Sequence, residues 1–205
     1  MEDNLIISKF SQLSYDKATW SKTKYMGRDI FKYPTDMIVY QEIIFDLKPD
    51  LIIETGTWAG GSALYMAHLL DIIGKGRIIS VDNEWRCPFP QHQRIEYLLG
   101  SSVDEKIVNY IHNTAKDLKS VLVILDSDHS EKHVINEINC YQDIVTLNNY
   151  CIVEDTNLRY VRNSKECPLD AVEKFLIKNN NFIQDTTREK FLLTANPGGY
   201  LKKNK

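Results

Sequence analysis

Short runs of apolar residues alternate along the chain with longer stretches in which apolar positions recur every three or four residues. The short runs are rich in Ile, Leu and Val with little polar alternation, which is typical of strands in a sheet covered on both faces. Five such strands are predicted, at Leu51–Thr55, Arg77–Val81, Ile95–Leu99, Val121–Leu125 and Tyr150–Val153. The longer stretches predict amphipathic helices, at Thr35–Leu47, Ser62–Ile73, Asp104–Lys116, Lys132–Val145 and Leu169–Lys178.

Strands that alternate with helices predict an α/β fold with a doubly wound, mostly parallel sheet and helices on both of its faces. Ligands of such sheets bind beyond the carboxyl ends of the strands, near the point where the strand order reverses. The residues that follow each strand are therefore the first candidates for function. We expect a single domain over residues 35–205, preceded by an N-terminal segment, residues 1–34, which is a candidate lid.

Composition narrows the class of protein. The chain has 205 residues with 25 Lys and Arg against 28 Asp and Glu, a net charge of −3, so no basic face favours nucleic acid. No apolar stretch approaches the roughly 18 residues of a membrane span, so we expect no membrane contact. The four cysteines form no CxxC pair, which favours reduced thiols in a cytoplasmic protein over zinc or disulfides. Homo-oligomerisation is left open.

A glycine-rich turn, ETGTWAGGSA, follows the first predicted strand. Its glycines allow a tight turn, and the free N–H groups at the start of the next helix suit an anionic group. The acid at its edge, Glu54, would repel a pyrophosphate but suits a ligand with an ammonium group, such as the methionyl end of S-adenosylmethionine. The spacing also differs from the GxGxxG of dinucleotide sites. The alternative is a plain turn with a solvated Glu54. The residues assigned to the cofactor here are Glu54, Gly56, Thr57, Trp58, Gly60 and Ser62.

The second and third predicted strands end in residues that suit a nucleoside. Asp82 closes the second strand, where an acid commonly binds the two ribose hydroxyls. The third strand is followed by Gly100, Ser101 and Ser102, and serines at this position are suited to an adenine edge. Small residues are also routine in turns. These positions therefore support a nucleoside site only in combination with Glu54 and Asp82.

Acidic residues crowd the ends of the fourth and fifth predicted strands. Asp126, Asp128 and His129 follow the fourth strand, and Glu154 and Asp155 follow the fifth. Carboxylates brought together at one sheet edge repel each other unless something neutralises them. Hard oxygen ligands without cysteine favour Mg²⁺, Mn²⁺ or Ca²⁺ over Zn²⁺. The alternative is a set of separate, solvated loop acids.

His129 has two candidate roles, metal ligand and general base. Magnesium seldom takes imidazole, so the role of base is favoured, and His129 and Asp128 are the catalytic candidates. Asp128 is also an alternative to Asp126 as the metal ligand. The next histidine, His133, is expected to pack within its helix. Aromatic candidates for an acceptor pocket are Trp20, Tyr25, Trp58, Trp85 and Tyr160.

Several blocks of the sequence resemble one family in the correct order. They are ETGTWAGGSA, GRIISVD, RIEYLLGSSVD, VILDSDHSEKHV and NYCIVEDTN, with KYPTDMIVYQEIIFDLKPD before and EKFLLTANPGGYL after them. The sequence is similar over residues 20–201 to the family labelled cephalosporin hydroxylase and rhamnosyl O-methyltransferase. The resemblance implies a Rossmann-like class I methyltransferase fold that uses S-adenosylmethionine and a divalent metal, Mg²⁺ or Mn²⁺.

A more distant similarity, to catechol O-methyltransferase, implies roles for individual residues. Asp126 corresponds to the metal Asp and also borders the cofactor, while His129, three positions later, corresponds to the base. Glu154 and Asp155 correspond to the acid–amide pair of the metal site after the fifth strand of that enzyme. Sugar O-methyltransferases of macrolide tailoring look closer still, with histidine as base and a Glu–Asp pair after the fifth strand.

The resemblance implies O-methylation of one hydroxyl of a vicinal diol, on a rhamnose-like sugar of a glycan or a small natural product. The loop TNLRYVRNSKECPLD departs from the family pattern, so acceptor identity transfers least. Three alternatives stay open. One is an iron-dependent hydroxylase, which needs two histidines and a carboxylate. The others are a nicotinamide-dependent oxidoreductase and a cofactor-binding module without catalysis.

Overall fold

A computed structural model describes residues 2–205 of the chain. Its N-terminal part is a helix followed by a short 3₁₀ turn at Trp20–Lys22, a small antiparallel hairpin and a second helix. These elements are α1 (Glu2–Asp16), β1 (Lys24–Tyr25), β2 (Arg28–Asp29) and α2 (Pro34–Leu47).

Most of the remaining strands and helices alternate along the chain. In chain order they are β3 (Leu51–Thr55), α3 (Gly61–Ile73), β4 (Arg77–Asp82), β5 (Ile95–Leu99), α4 (Glu105–Ala115), β6 (Val121–Leu125), α5 (Glu131–Tyr141), β7 (Tyr150–Val153), α6 (Leu158–Val161), α7 (Pro168–Lys178), β8 (Phe182–Gln184) and β9 (Tyr200–Lys203).

Seven strands form one sheet in the order β5-β4-β3-β6-β7-β9-β8. The first five are parallel, whereas β9 is antiparallel to both of its neighbours. The chain winds outward from β3 to β5 and then returns to place β6 on the other side of β3. The carboxyl ends of β3 and β6 therefore form the switch point where ligands of such sheets bind. The predicted doubly wound α/β fold is confirmed.

The core has two apolar layers, one on each face of the sheet. Ile53 and Val123 face the layer formed by α4, α5 and α7, while Ile52 and Ile124 face the layer of α2 and α3. All residues of β3 and β6 are buried, which explains why their sequences lack alternation. Each large apolar side chain removed from water contributes about 1.5–3 kcal/mol, so this double layer is the main source of stability.

The five predicted strands are present, and the predicted helices differ from the observed ones mainly at their ends. The largest difference is α5, which ends at Tyr141 rather than Val145. The chain turns after it, through Asn148 with a φ of 65°, to enter β7. The antiparallel strands β8 and β9 were not predicted. β8 has only three residues, two of them exposed, so it carries no apolar run that marks a buried strand.

The glycine-rich turn between β3 and α3 is packed against the end of β6. Gly56 has a φ of 87°, a conformation that residues with a Cβ rarely adopt. A Cβ at Gly56 would also collide with the carbonyl oxygen of Asp126. This contact holds the turn close to the residues that follow β6. The position of the glycine-rich turn is therefore fixed relative to Asp126.

Replacing Gly56 with alanine tests this contact, with Gly74→Ala as its matched control. Gly74 ends α3 with a φ of 84°, but a Cβ there meets nothing within 4 Å. We expect Gly74→Ala to cost about 1–2 kcal/mol from backbone strain alone. Gly56→Ala should cost about 1–3 kcal/mol more, because the collision is with backbone. Urea unfolding measures both, and equal losses would contradict the packing argument.

Candidate functional site

A cavity of about 710 Å³ lies beyond the carboxyl ends of the parallel strands. Its size is in the range of small-molecule and cofactor sites. The predicted site residues that line it are Gly56, Thr57, Trp58, Ser62, Asp82, Ser101, Ser102, Asp126, Asp128, His129 and Asp155. The other three predicted residues, Glu54, Gly60 and Glu154, are buried and do not line it.

Asp82 connects the end of β4 to the glycine-rich turn. Its Oδ2 accepts a hydrogen bond from the backbone N–H of Trp58 at 2.9 Å, and its Oδ1 accepts one from the N–H of Glu84 at 3.1 Å. A carboxylate has about four acceptor positions, so both oxygens retain capacity for a ligand hydroxyl. This geometry suits the predicted contact with a ribose.

Glu54 has one oxygen without a partner. Its Oε2 accepts a hydrogen bond from the Ser80 hydroxyl at 2.7 Å, whereas Oε1 is buried and has no partner within residues 2–205. Burial raises the pKa of Glu54 to about 6. An orphaned carboxylate oxygen next to the turn fits an ammonium group of a ligand. The sequence predicted direct contact between Glu54 and the cofactor. Because Glu54 does not line the cavity, it lies behind the residues that do.

His133 lines the cavity, contrary to the expectation that it packs within its helix. Its Nε2 lies 3.1 Å from the Ser102 hydroxyl and 3.6 Å from Oε1 of Glu137. Glu137 is fully buried and also accepts a hydrogen bond from Ser127. Its proximity raises the pKa of His133. The signal in the sequence was the spacing of four residues between His133 and Glu137, which places both on one face of α5.

An acidic cluster forms at the ends of β6 and β7. The His129 Nε2 lies 3.5 Å from Oδ1 of Asp126, and its Nδ1 lies 3.1 Å from Oδ2 of Asp155. One ligand atom from each of these three residues lies within 4.8 Å of the others, a spacing that a metal ion can bridge. Asp155 adopts a φ of 56°, a left-handed conformation that Asp tolerates better than most residues.

Asp128 stands apart from this cluster. It is exposed, and its Oδ1 accepts a hydrogen bond from the backbone N–H of Ser130 at 2.7 Å, where α5 begins. Between the two predicted alternatives for the metal, the geometry therefore favours Asp126 over Asp128. Asp128, a predicted catalytic residue, lines the cavity, but within residues 2–205 its side chain forms no hydrogen bond or ion pair with that of His129.

A buried lysine that the sequence analysis missed completes the cluster. The Lys32 ammonium donates to Oδ2 of Asp126 at 3.0 Å and also to Oε1 of Glu154. Tyr40 donates a second hydrogen bond to the same oxygen of Glu154 at 2.6 Å. Lys32 is only 3% exposed. Nothing local in the sequence marks it, because its partners lie 94 and 122 positions away.

The protonation states of the cluster follow from burial and charge pairing. Burial alone would lower the pKa of Lys32, but Asp126 and Glu154 raise it above its usual value. Burial would raise the pKa of Asp126, but Lys32 and His129 hold it below its usual range. Burial opposes the charge on His129, yet Asp126 and Asp155 raise its pKa to about 9. Lys32 and His129 are two cations against three carboxylates, and burial raises the pKa of the third, Glu154, to about 8, which lowers its negative charge at neutral pH.

Asn196 is a second residue that the sequence analysis missed. Its Oδ1 accepts a hydrogen bond from the backbone N–H of Asp155 at 3.2 Å, and its Nδ2 lies 3.4 Å from the Tyr40 hydroxyl. Because Asn196 is fully buried, it fixes the backbone at Asp155 and links it to the partners of Glu154. It lies in the loop before β9, an element that the sequence did not predict.

Aromatic residues of the N-terminal segment also line the cavity. Of the predicted aromatic candidates, Trp20 and Trp58 line the cavity, whereas Tyr25, Trp85 and Tyr160 do not. Across residues 2–205, the structure contains no helix that is both long and apolar enough to cross a membrane.

The sequence matches the family model described as Rhamnosyl O-methyltransferase/CmcI over residues 17–204. A curated protein named Rhamnosyl O-methyltransferase from Mycobacterium bovis is 32% identical over 209 residues, which is 97% of this chain and 85% of that protein. The protein of the same name from Mycobacterium leprae is 31% identical and covers 96% of this chain and 90% of its own length.

Solved structures share the fold at lower identity. An apo structure of CmcI has a TM-score of 0.72 at 20% identity and covers 90% of this chain and 77% of that one. A structure described as CmcI with Mg and SAM has a TM-score of 0.68, also at 20% identity, with coverage of 90% and 78%. At this identity the two structures support the fold alone.

Removing the buried lysine should destabilise the protein. Lys32→Met leaves Asp126 and Glu154 without their shared counter-charge, so we expect a loss of about 3–5 kcal/mol in the free energy of unfolding at neutral pH. The matched control is Lys24→Met, which breaks an exposed pair with Asp29 at 2.9 Å and should cost less than about 1 kcal/mol. Chemical denaturation compares the two variants. Similar small losses would mean that the Lys32 ammonium does not stabilise the fold by neutralising Asp126 and Glu154.

His129 should make the stability of the metal-free protein depend on pH. Its folded-state pKa of about 9 exceeds the ordinary value of 6.5, so its stabilising contribution is complete below pH 6.5 and is lost as pH rises through 9. Since 36% of the side chain is exposed, solvent screens the effect, and we expect about 1–2 kcal/mol.

The measurement is the difference in unfolding free energy between the wild type and His129→Gln, followed from pH 6 to 10 in a chelating buffer. The difference should shrink across the window in which His129 loses its proton. A difference that stays constant would contradict the assignment of a charged His129 in the metal-free protein.

Proposed function

Because the chain belongs to the Rhamnosyl O-methyltransferase/CmcI family, we propose that it transfers the methyl group of S-adenosylmethionine to a hydroxyl of a sugar, with the help of a divalent metal. The predicted family and the predicted O-methyltransferase activity are confirmed by the family match and by relatives that align over nearly the whole chain. The observation that carries the proposal is the cluster of Asp126, His129 and Asp155 at the switch point of the sheet.

The cofactor is assigned to the half of the cavity above β3, β4 and β5. Asp82 retains acceptor positions for the ribose hydroxyls, and Ser102 with His133 borders the predicted adenine end. The orphaned Oε1 of Glu54 supplies negative charge behind the turn that would hold the methionyl end. S-Adenosylmethionine bound in this half would supply an electrophilic methyl group for the acceptor oxygen, with its sulfur as the leaving group.

The metal is assigned to the oxygens of Asp126 and Asp155. Glu154 remains the third proposed ligand, since both of its hydrogen bonds engage Oε1 and leave Oε2 free of Lys32 and Tyr40. A divalent ion held by these carboxylates would supply positive charge that makes an acceptor hydroxyl more acidic. Support comes from the chemistry of the site, because hard carboxylate oxygens are the ligands that Mg²⁺ prefers.

His129 is assigned as the base that accepts the proton of the acceptor hydroxyl. In the metal-free protein Asp126 and Asp155 hold a proton on His129, which would prevent this role at neutral pH. Positive charge bound to the same carboxylates weakens their hold on that proton. The charge of the site therefore couples metal binding to the availability of a base.

The predicted alternatives are less well supported by this site. A non-haem iron hydroxylase needs two histidines and a carboxylate, but no second histidine joins the cluster among residues 2–205. A nicotinamide-dependent enzyme is disfavoured by the orphaned carboxylate of Glu54 beneath the glycine-rich turn. A module without catalysis would not need His129 between the two metal carboxylates.

Other predictions remain proposals. The acceptor is a small molecule or glycan, and a rhamnose-like sugar is the specific proposal that the names of the relatives support. Three further predictions also remain untested: location in the cytoplasm, the absence of nucleic-acid partners and homo-oligomerisation. The division near residue 34 also stays a prediction, although residues 2–33 supply Tyr15, Trp20 and Lys32 to the cavity or its cluster.

Calorimetry and product analysis test the proposed function. S-Adenosylmethionine and NAD⁺ are titrated into metal-stripped protein, and methyl α-L-rhamnoside is then offered with and without Mg²⁺. We expect binding of S-adenosylmethionine but not NAD⁺, and a rhamnoside heavier by one methyl group only when Mg²⁺ is present. Failure to bind S-adenosylmethionine would remove the assignments of Glu54, Ser62, Asp82 and Ser102 together.

Asp155→Asn should separate the metal site from the cofactor site. Losing a metal carboxylate should lower Mg²⁺ affinity by more than the roughly 10–100-fold that follows loss of an outer-shell partner, and abolish metal-dependent turnover. Binding of S-adenosylmethionine should change little. The matched control, Asp128→Asn, should leave Mg²⁺ affinity unchanged, because Asp128 lies outside the cluster. Equal effects of the two substitutions on Mg²⁺ titrations would sink the ligand assignment.

A further inference from the structure

Four residues that line the cavity each carry a buried polar atom without a hydrogen-bond partner in the described part of the chain. These atoms are the hydroxyls of Tyr15 and Tyr33, the indole Nε1 of Trp20 and Oδ1 of Asn157. Tyr33 and Asn157 are 2% and 6% exposed as whole residues. Leaving buried polar groups unpaired costs free energy, so several at one place indicate a ligand that pairs with them.

Aromatic rings form a wall beside these polar atoms. The rings of Tyr15 and Trp20 stack with centroids 6.1 Å apart, and Trp20 meets Phe31 edge-on at 5.7 Å. Phe31 in turn lies 5.2 Å from Trp58 in the glycine-rich turn. The wall therefore runs from α1 to the glycine-rich turn. It gives this part of the cavity an aromatic, apolar lining.

This part of the cavity adjoins the acidic cluster on two sides. Tyr33 follows Lys32, which holds Asp126, and Asn157 lies two residues beyond Asp155. Burial raises the pKa of Tyr33 to about 12, with further contributions from the charges of Asp36 and Asp155 and from Tyr15. The phenol of Tyr33 is thus a neutral hydrogen-bonding group close to a proposed metal ligand.

The segment that carries these residues is held against the body of the protein. The Gln12 side chain on α1 donates a hydrogen bond to the carbonyl oxygen of Val161 at 3.1 Å. Arg162 directly follows Val161, the last residue of α6. The Arg162 guanidinium lies over the Tyr15 ring, 5.2 Å from the ring centroid. Tyr15 therefore has a fixed position on the cavity wall rather than a loose one at a chain end.

We propose that Tyr15, Trp20, Tyr33 and Asn157 form the subsite for the acceptor and that it holds a sugar ring. Sugar hydroxyls both donate and accept hydrogen bonds, which matches two phenols, one N–H donor and one carbonyl acceptor. The apolar C–H face of a sugar ring packs on the aromatic wall. The four groups themselves carry no charge, and Arg162, a cation that lines the same cavity, stacks on the Tyr15 ring. This inference rests on the proposed function and names the residues that determine its acceptor specificity.

The test uses substitutions that remove only the unpaired hydroxyls. Tyr33→Phe and Tyr15→Phe are compared with Tyr160→Phe, an exposed tyrosine on α6 that does not line the cavity. Each enzyme is assayed with Mg²⁺ on methyl α-L-rhamnoside and on catechol, a diol without further hydroxyls. We expect each cavity variant to raise KM for the rhamnoside roughly 3- to 10-fold, the effect of one neutral hydrogen bond.

Three other readouts separate the subsite from a structural role. KM for catechol and the affinity for S-adenosylmethionine should stay at wild-type values in Tyr33→Phe and Tyr15→Phe. Their free energy of unfolding should not fall, because the removed hydroxyls have no partner in the protein. Tyr160→Phe should match the wild type in every assay.

Several outcomes would overturn the subsite. An unchanged KM for the rhamnoside means that the hydroxyls hold only water, and an equal rise for catechol means that they act through the metal site. Absence of turnover by the wild type on both acceptors contradicts the proposed function instead. In that event, calorimetric binding of the rhamnoside to the protein with Mg²⁺ and S-adenosylhomocysteine decides. Weaker binding by Tyr33→Phe supports the subsite, and no binding by the wild type or equal binding by both overturns it.

Discussion

The convergence of carboxylates at the ends of β6 and β7 is the constraint on which the site depends. The parallel register places Leu125 beside Val153, so the acids that follow these strands must lie together. Lys32 resolves part of the repulsion with a buried ammonium between Asp126 and Glu154. A proton on His129 resolves another part in the metal-free protein. What remains is a site whose charge balance shifts when a divalent ion binds.

The residues before α2 are consequently part of the candidate site. They supply Lys32 to the cluster, and they place Tyr15, Trp20 and Tyr33 along the cavity. The order of the strands separates the two substrates across the switch point. The proposed cofactor half lies above β3, β4 and β5, while the proposed acceptor half lies beside β7 and is lined by residues of the N-terminal segment. Methyl transfer needs the two substrates to meet, and the cluster at the ends of β6 and β7 lies where the halves join.

Much of this arrangement could be predicted from the sequence, because parallel strands buried on both faces leave continuous apolar runs. Those runs gave the five strands, and the rule that ligands bind at strand ends located Asp82, Asp126, His129 and Asp155. Lys32 could not be found in this way, since its role depends on partners about a hundred residues distant. Asn196 was missed for a related reason, because it precedes β9, a short antiparallel strand without a distinctive pattern.

Paramagnetic relaxation tests the central claim most directly. Mn²⁺ is added to the protein with S-adenosylhomocysteine and methyl α-L-rhamnoside, and the relaxation of each sugar proton is measured by NMR. If the acidic cluster holds a metal that positions a diol, the protons on two neighbouring hydroxyl-bearing carbons should relax fastest, and Asp155→Asn should remove the effect. Equal relaxation of all sugar protons, unchanged by that substitution, would contradict the account.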